Sequence, residues 1–342
     1  MDLNKPLLVY THGAGRLGNQ LFAYAHFVAF LKEHSGQYNF INFAFTPYAK
    51  LLKYTSTPLG CTYPTVHRQL ATLQNLVSIL EVRPKTGATA VLQEKALVNI
   101  ARSLHAYADL IPNAQSLVAK DIYYWSLIAG QRLSYLDLAL PQTVDLLSSK
   151  SLSVLAGWGI RSWSLLEKHG DFVREALAFH PQYEGAASTF VRDLRQQYDY
   201  LIGVAIRQGD YRSAADFKCF MFETDRYVDW IRQAQSTFSH KGTVGFIVTA
   251  DEPQDIDRFA GLNVHFATGI AGGSGHFIES LIELSLCDLL MTSGTTFAGW
   301  AAFWGNIPIL PLYESNQKIR AEDGQHYLEA FKRFDAMGNK IL

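Results

Sequence analysis

The chain has 342 residues, of which 48% are hydrophobic and 18% are charged, so it can bury a sizeable core and does not have a disordered composition. This length predicts two domains, or one large domain. The formal net charge of −1 excludes the broad basic surface that binding to nucleic acid or to an anionic membrane requires.

Targeting and redox features indicate a cytoplasmic protein. No run of about 18 apolar residues occurs, so no transmembrane segment is predicted. Residues 1–6, MDLNKP, have neither the charge nor the uninterrupted apolar run of a signal peptide. The cysteines Cys61, Cys219 and Cys287 are widely spaced and match no metal-ligand pattern, which favours a reducing compartment. We therefore expect a soluble cytoplasmic protein with no metal site.

The first part of the chain predicts alternating strands and helices, followed by a less regular stretch over residues 46–155. Short apolar or alternating runs indicate strands, and longer apolar-periodic runs indicate helices. The predicted elements are a strand at Leu7–Tyr10, a helix at Leu21–His34, a strand at Tyr38–Phe45, a helix at Gln69–Leu80, an ambiguous segment at Ala90–Val98, a strand at Asp121–Leu127, a strand at Leu152–Trp158 and a helix at Trp163–Phe179.

The loop between the first strand and the first helix contains Gly13-Ala14-Gly15-Arg16-Leu17-Gly18, a literal G-x-G-x-x-G sequence. This spacing is typical of dinucleotide binding, which also needs an acidic residue at the end of the second strand to bind the ribose. The predicted second strand has Asn42 there and no carboxylate. A nicotinamide- or flavin-dependent oxidoreductase and a tight turn without a ligand are therefore both alternatives for this loop.

Beyond residues 181–187, which are the best candidate for a domain boundary, the pattern is regular. Strand and helix alternate to the end of the chain, and this alternation predicts a parallel, doubly wound sheet. The predicted strands are Tyr200–Ile206, Val244–Val248, Asn263–Phe266, Asp288–Thr292 and Ile307–Leu312. The predicted helices are Ser188–Tyr198, Thr224–Gln235 with Thr224 as its N-cap, a short helix from Pro253 to Gly261, Phe277–Leu286, Phe297–Trp304 and Gly324–Phe334.

Polar residues follow three of these strands, where an open α/β sheet binds its ligands. They are Arg207 with Asp210, Asp251 with Glu252, and Ser293 with Thr295 and Thr296. An arginine can bind a diphosphate bidentately, a helix start can bind a second anion, and a carboxylate can contact a guanine edge or a ribose. The structural alternatives are an ordinary strand exit for Arg207, a turn for Asp251 and a helix N-cap for Thr296.

Five motifs resemble those of the α-1,2-fucosyltransferases, glycosyltransferase family 11. Gly15 to Ala25, GRLGNQLFAYA, resembles the family's G-R-x-G-N-Q-x-x-x-Y-A opening, and Ala205 to Tyr211, AIRQGDY, resembles H-x-R-R-G-D-Y. The latter motif is shared in part with α-1,6- and protein O-fucosyltransferases. Three weaker matches are the aromatic segment from Gly157 to Phe172, the segment Phe246 to Asp251 against F-x-x-F-S-D-D, and the segment Glu283 to Gly305.

The resemblance implies a GT-B-like fold of two Rossmann-like domains. These would be an acceptor-side domain at 1–185, a donor-binding domain at 186–315 and a C-terminal helix at 316–342 that packs back on the first domain. It also implies inverting, metal-independent transfer of fucose from GDP-fucose to a glycan hydroxyl, with no further cofactor. The implied catalytic residues are Arg207, which steadies the leaving diphosphate, and Asp210.

The resemblance also implies a set of donor-binding residues. Asp251 would contact the base or ribose, and the hydroxyls of Ser293, Thr295 and Thr296 would lie beside the phosphates. Gly15, Arg16 and Asn19 would face the donor from the N-terminal domain. The donor site that the resemblance implies therefore comprises Gly15, Arg16, Asn19, Arg207, Asp251, Ser293, Thr295 and Thr296.

The sequence departs from the family motif on both sides of Arg207. The family histidine is Ala205 and the second arginine is Gln208, so two polar contacts of the family are missing. These differences leave open another nucleotide-sugar donor, or a weakened homologue that binds nucleotides or glycans without catalysis. The acceptor glycan, the linkage, the general base and the oligomeric state do not follow from the sequence.

Overall fold

The computed structural model describes residues 4–13, 15–54, 62–63, 88–119, 130–213, 220–269, 273–330 and 332–333. The chain forms two compact units, Met1–His180 and Pro181–Leu342. No helix in the described part of the chain has the length and apolarity that crossing a membrane requires.

The first unit is built on a six-stranded sheet. Its strands are β1 (Leu7–His12), β2 (Asn39–Asn42), β3 (Thr62–Tyr63), β4 (Ala114–Ala119), β5 (Gln131–Leu133) and β7 (Leu152–Ala156), in the order β3-β2-β1-β7-β4-β5. All neighbours pair in parallel except β2 with β3. A separate two-stranded sheet joins β6 (Leu136–Asp137) to β8 (Ile160–Arg161) in parallel.

The helices of the first unit are α1 (Leu17–Glu33), α2 (Ala88–Leu110), α3 (Pro141–Ser148), α4 (Trp163–Lys168) and α5 (Gly170–Ala176). Helix α1 is apolar nearly all round and most of its residues are buried, which is the pattern of a helix enclosed by its neighbours. It begins in the segment that follows β1, so it carries the Gly15-to-Ala25 motif from the sheet edge into the core.

The second unit contains a five-stranded, wholly parallel sheet. Its strands are β9 (Tyr200–Ile206), β10 (Val244–Ala250), β11 (Val264–Phe266), β12 (Leu289–Thr292) and β13 (Ile309–Pro311), in the order β11-β10-β9-β12-β13. Its helices are α6 (Glu184–Arg195), α7 (Gly209–Ser213), α8 (Thr224–Thr237), α9 (Phe277–Ser285) and α10 (Thr296–Gly305).

The core of the second unit forms because its central strands are apolar on both faces. Six of the seven residues of β9 and all seven of β10 are buried. Helix α9 packs closely on β9, because a Cβ on Gly203 would lie 2.9 Å from a Leu284 methyl carbon. A larger residue at position 203 would require the Leu284 side chain to move, so this glycine lets the side chain of the helix pack directly on the strand backbone.

Most predicted elements are confirmed, with ends that differ by a few residues. Tyr38–Phe45 is shorter than predicted, since pairing stops at Asn42. The ambiguous Ala90–Val98 lies in α2. Trp163–Phe179 is two helices, which meet at His169. The predicted helix at Gln69–Leu80 and the predicted strand at Asp121–Leu127 lie outside the described residues.

Three predicted helix starts are wrong. Glu223, not Thr224, is the N-cap of α8, and the Thr224 hydroxyl instead donates to the Gln254 side chain over 2.8 Å. The chain from Pro253 forms only a 3₁₀ turn at Ile256–Phe259, with Asp255 as its cap. The N-cap of α10 is Thr295, not Thr296. The N-cap residue is set by where the backbone leaves the helical conformation. The residue type alone does not decide between two neighbouring positions.

The last described residues of the chain pack within the second unit. Ile319 lies in its hydrophobic core, and the backbone of Gln325 pairs with Ile309. Residues 327–330 are helical. The domain limits at 185 and 315, and the return of the last helix to the first domain, stay predictions.

Candidate functional site

The strand order of the second unit marks a place for a ligand. Taken in chain order within the unit, the strands lie as third, second, first, fourth and fifth across the sheet. The chain therefore leaves β9 in one direction and returns to β12 on the other side. In open parallel sheets the crevice outside the strand ends at such a reversal is the usual binding site. Arg207 follows β9 directly, and Ser293 follows β12 directly.

The Arg207 guanidinium is held by two carboxylates. Its Nη1 lies 3.0 Å from Asp251 Oδ2, and its Nη2 lies 2.8 Å from the Asp210 carboxylate. The guanidinium also lies 5.5 Å from the centre of the Tyr211 ring. The side chain is 19% exposed, so it is fixed in orientation while one part still meets solvent. A guanidinium carries five N–H donors, and these two contacts leave others for a ligand.

Asp251 supports the turn after β9 as well as Arg207. Its Oδ1 accepts a hydrogen bond from the Gln208 backbone N–H over 2.9 Å, while Oδ2 contacts Arg207. A Cβ on Gly209 would lie 2.8 Å from Oδ2, so the glycine lets the carboxylate approach the turn. Both oxygens of Asp251 thus brace the turn, and its contact with a base or ribose stays a prediction.

Gln208 is a buried residue of the hydrogen-bonded framework behind the crevice, which joins it to Phe222, Thr224 and Gln254. It is 1% exposed, and its amide donates to the Phe222 carbonyl over 2.9 Å and to the Thr224 hydroxyl over 3.3 Å. Its amide oxygen accepts from Gln254 over 3.1 Å. The side chain that replaces the second arginine of the resembled motif therefore ties the β9 turn to the start of α8. It does not face the solvent side of the crevice.

The hydroxyls after β12 also have internal partners. Ser293 is fully buried, and its Oγ lies 3.0 Å from the Tyr227 hydroxyl. Gly294 adopts a φ of 93°, and Thr295 Oγ1 accepts from the Phe297 N–H over 3.2 Å. Thr296 is the first residue of α10 and is partly buried. The start of α10 thus lies at the strand-order reversal, where helix N–H groups and the helix dipole favour an anion.

Tyr227 is a site residue that the sequence analysis missed. It is completely buried on α8, its hydroxyl lies 3.0 Å from the Ser293 hydroxyl, and the backbone of Arg207 is near enough to influence its pKa. Burial raises the pKa of Tyr227 to about 12, with Ser293 and the Arg207 backbone acting in the opposite direction. The residue therefore remains a neutral hydroxyl, bonded to Ser293 at the end of β12 and close to the end of β9. In the sequence it resembles any core tyrosine on an amphipathic helix.

The three predicted site residues of the first unit lie at the start of α1. Gly15 has a φ of 79°, and a Cβ there would overlap the Asn19 amide, so the two residues pack directly together. Arg16 is exposed at the N-cap position. The buried Gln20 holds the loop to the helix by donating to the Gly13 carbonyl over 2.9 Å. Their contact with a donor stays a prediction.

The end of β2 does not offer a ribose ligand. Asn42 is fully buried, and its side-chain oxygen accepts from the Phe45 N–H over 3.0 Å, which closes the turn after the strand. This arrangement weighs against dinucleotide binding at the Gly13–Gly18 loop, which needs an accessible acidic group there. Within the described ranges, no group of three or more His, Cys, Asp or Glu side chains is placed to hold a metal ion.

No family model and no curated protein matches this sequence. Solved structures do match the chain. Arabidopsis thaliana FUT1, as a single-residue variant in complex with GDP, is 11% identical over 94% of this chain and 73% of that chain, with a TM-score of 0.55. POFUT1 in complex with GDP-fucose is 12% identical over 94% and 98%, with a TM-score of 0.49. Fucosyltransferase NodZ from Bradyrhizobium is 13% identical over 91% and 96%, with a TM-score of 0.47.

At these identities the likeness shows the fold alone. Together with two units that each contain a mainly parallel sheet, it establishes a GT-B-like architecture of two Rossmann-like units.

Proposed function

We propose that the chain is a glycosyltransferase that transfers fucose from GDP-fucose to a glycan hydroxyl. The observation that carries this proposal is Arg207, held by Asp210 and Asp251 beside the strand-order reversal of the second sheet. The Arabidopsis thaliana FUT1 structure of the same fold was solved with GDP, which supports a guanine nucleotide as the ligand.

In the proposed reaction, Arg207 binds the diphosphate of the donor. When the bond between fucose and phosphate breaks, negative charge grows on the leaving phosphate, and a fixed cation beside it lowers the barrier. Asp210 and Asp251 hold the guanidinium in one orientation before the donor arrives, so little reorganisation is needed during the reaction. The start of α10 supplies a second, partial positive charge for the same diphosphate.

The finer features of the reaction are also proposals. The resemblance to the α-1,2-fucosyltransferases supports an α-1,2 linkage, inversion at the sugar carbon and no need for a metal or further cofactor. Product analysis by NMR would identify the linkage and the anomeric configuration. Transfer that survives dialysis against EDTA would support a reaction without metal, and loss of transfer that added Mg²⁺ or Mn²⁺ restores would contradict it.

Nucleotide binding and turnover of the Arg207→Ala variant test the main proposal. GDP and GDP-fucose should raise the melting temperature of the native chain, and NAD should not. Arg207→Ala should lose transfer, whereas Arg192→Ala should behave as the native chain, because Arg192 is an exposed residue of α6. No stabilisation by millimolar GDP, or full activity of Arg207→Ala, would rule the proposal out.

A second candidate is a homologue that binds GDP-sugars without transferring the sugar. Two observations favour it: the Gln208 amide is committed to the framework, and two carboxylates already balance the Arg207 charge. Stabilisation by GDP with no transfer to a broad panel of glycan acceptors would support this candidate. Stabilisation by NAD alone would instead support the oxidoreductase that the Gly13–Gly18 loop suggests.

A further inference from the structure

Arg161, in the first unit, is a buried cation whose charge no described carboxylate balances. It lies at the end of β8, and its side chain is 1% exposed. Its Nη1 donates to the Ile160 carbonyl over 2.9 Å, whereas Nε and Nη2 have no hydrogen-bond partner among the described residues. Taking a guanidinium out of water without a paired anion is costly, so proteins normally bury such a charge against a carboxylate or a ligand.

The two unpaired nitrogens are those that form a fork. In a guanidinium, the Nε–H and one Nη2–H point the same way along one edge, spaced for the two oxygens of a carboxylate. The opposite edge is occupied by the Ile160 carbonyl. One face is covered by the Trp158 indole, whose centre lies 3.9 Å from the guanidinium carbon. The Arg161 guanidinium is therefore held by the Trp158 ring on one face and by the Ile160 carbonyl at Nη1. Its Nε/Nη2 edge is not paired with any described residue.

The polar groups described beside the Nε/Nη2 fork of Arg161 are neutral, so they do not offset its positive charge. Burial, and then the charge of Arg161, hold the pKa of the nearby His26 well below its usual range. His26 is consequently neutral, and its Nδ1 is bonded to the Ser162 backbone over 3.1 Å. Within the described part of the chain, its buried Nε2 and the buried Ser162 hydroxyl have no hydrogen-bond partner. The local charge is thus that of the guanidinium, with neutral polar groups beside it.

The position of this segment in the sheet agrees with a ligand. Arg161 lies five residues after the end of β7, and β7 lies next to β1, where the strand order of the first sheet reverses. The Gly157 N–H donates to the His12 carbonyl over 2.8 Å, which joins the exits of these two strands. Arg161 therefore lies in the chain that leaves the carboxyl end of β7, a strand beside the strand-order reversal of the first sheet.

We propose that the Nε/Nη2 fork of Arg161 binds the carboxylate of an acidic sugar, so that the acceptor glycan of this enzyme carries a uronic acid. The identity of the ligand as an acceptor rests on the proposed function. Because Arg161 is 1% exposed, a carboxylate bound at the fork loses its water. Its bonds to the guanidinium are then less screened than on the surface.

Thermal unfolding of the full chain with matched sugars tests this inference. Sodium glucuronate and galacturonate should raise the melting temperature progressively with concentration, whereas glucose, galactose and sodium chloride at equal ionic strength should not. Arg161→Met should lose this shift, and Arg161→Lys should lose most of it, because lysine keeps the charge but not the fork. Arg102→Met is the matched control, since Arg102 is an exposed arginine of α2, and it should retain the full shift.

The outcomes separate this inference from the proposed function. The same uronate shift in Arg161→Met as in the native chain would overturn the site, and so would no uronate shift in the native chain. Stabilisation by sodium phosphate but not by uronates would overturn the carboxylate assignment. GDP stabilisation, measured in parallel, reports on the donor site alone. Should Arg161→Met fail to fold, the comparison of glucuronate with glucose on the native chain still decides the question.

Discussion

The Tyr227 hydroxyl lies 3.0 Å from the Ser293 hydroxyl, and the backbone of Arg207 is near enough to influence its pKa. One completely buried side chain is thus bonded to the exit of β12 and lies near the exit of β9, the two strands at the strand-order reversal. The position of the Ser293 hydroxyl at this reversal therefore depends on a residue that itself has no exposed surface.

Removing the Tyr227 hydroxyl should weaken ligand binding in the crevice while lowering the unfolding free energy only slightly. Tyr227→Phe leaves the Ser293 hydroxyl buried with one partner fewer, a loss of about 1 kcal/mol of unfolding free energy. We also expect weaker GDP binding, by roughly threefold to tenfold if a comparable free energy is lost from the bound state. Urea unfolding and calorimetric titration measure the two effects. Tyr200→Phe is the control, because Tyr200 is a partly buried tyrosine of the same unit. Unchanged GDP affinity in Tyr227→Phe would contradict the role.

The two carboxylates beside Arg207 should differ in importance. The Asp251 side chain is 17% exposed and also accepts from the Gln208 N–H, whereas the Asp210 side chain is 42% exposed. Exposed ion pairs contribute about 0–1 kcal/mol, so Asp210→Asn should leave stability nearly unchanged. Asp251→Asn keeps the acceptor for Gln208 but loses the charge that orients Arg207. We expect it to reduce transfer at least about tenfold, a loss of about 1.4 kcal/mol in transition-state stabilisation. Equal effects of the two variants on turnover would contradict this ranking.

Restoring an arginine at position 208 should not restore a phosphate contact. Gln208 is 1% exposed and its amide has three hydrogen-bond partners, so Gln208→Arg places an unpaired charge in the framework. We expect a loss of about 3 kcal/mol in unfolding free energy and no gain in GDP affinity. Gln197→Arg, at an exposed position, is the control and should be neutral. Tighter GDP binding by a stable Gln208→Arg variant would show that the side chain can reach the ligand.

Two glycines with the same backbone conformation should respond differently to alanine. Gly15 and Gly36 have φ values of 79° and 78°, but a Cβ at Gly36 meets nothing within 4 Å, whereas one at Gly15 overlaps Asn19. Gly36→Ala should therefore cost about 1 kcal/mol, the cost of the left-handed conformation alone. Gly15→Ala should cost more and displace the Asn19 amide, which NMR of that side chain can report. Equal stability losses in the two variants would mean that the overlap relaxes freely.

The buried His105 should make stability depend on pH on the acid side. Its Nε2 lies 2.9 Å from the Thr11 hydroxyl and its Nδ1 lies 2.7 Å from the Ser116 hydroxyl. Burial lowers the pKa of His105 to about 4, with Arg132 and His12 adding to the effect. The unfolded chain then binds the proton more readily than the folded chain, so stability is full above about pH 6.5 and falls as the pH decreases toward 4.

This pH dependence can be assigned to His105 by substitution. The full difference corresponds to about 3 kcal/mol between those pH values, since each pKa unit is about 1.4 kcal/mol. His105→Asn should be less stable at neutral pH, because hydrogen bonds are lost, but should show a shallower decline between pH 6.5 and 4. Urea unfolding across this range measures both. His240→Asn, at an exposed histidine of the second unit, is the control and should keep the native slope. An unchanged slope in His105→Asn would contradict the assignment.

The sequence by itself determined the alternation of strands and helices and the residues that follow each strand. These features are local: a buried strand is a short apolar run, and its exit is marked by the first charged or small residues after it. Since all strands of the second sheet are parallel, Arg207, Asp251 and Ser293 necessarily meet at one edge. The sequence therefore predicts that these residues lie at one edge of the sheet, but it does not predict the contacts among them.

The tertiary structure alone decided the partners of those residues. Tyr227 and Ser293 are 66 positions apart, and Gln208 reaches Gln254 across 46, so packing rather than local pattern brings them together. Burial likewise turned Gln208 into a framework residue and left the Arg161 fork without a counter-charge among the described residues. A side chain's role depends on whether water, another side chain or a ligand satisfies it, and that is fixed only when distant segments of the chain pack around it.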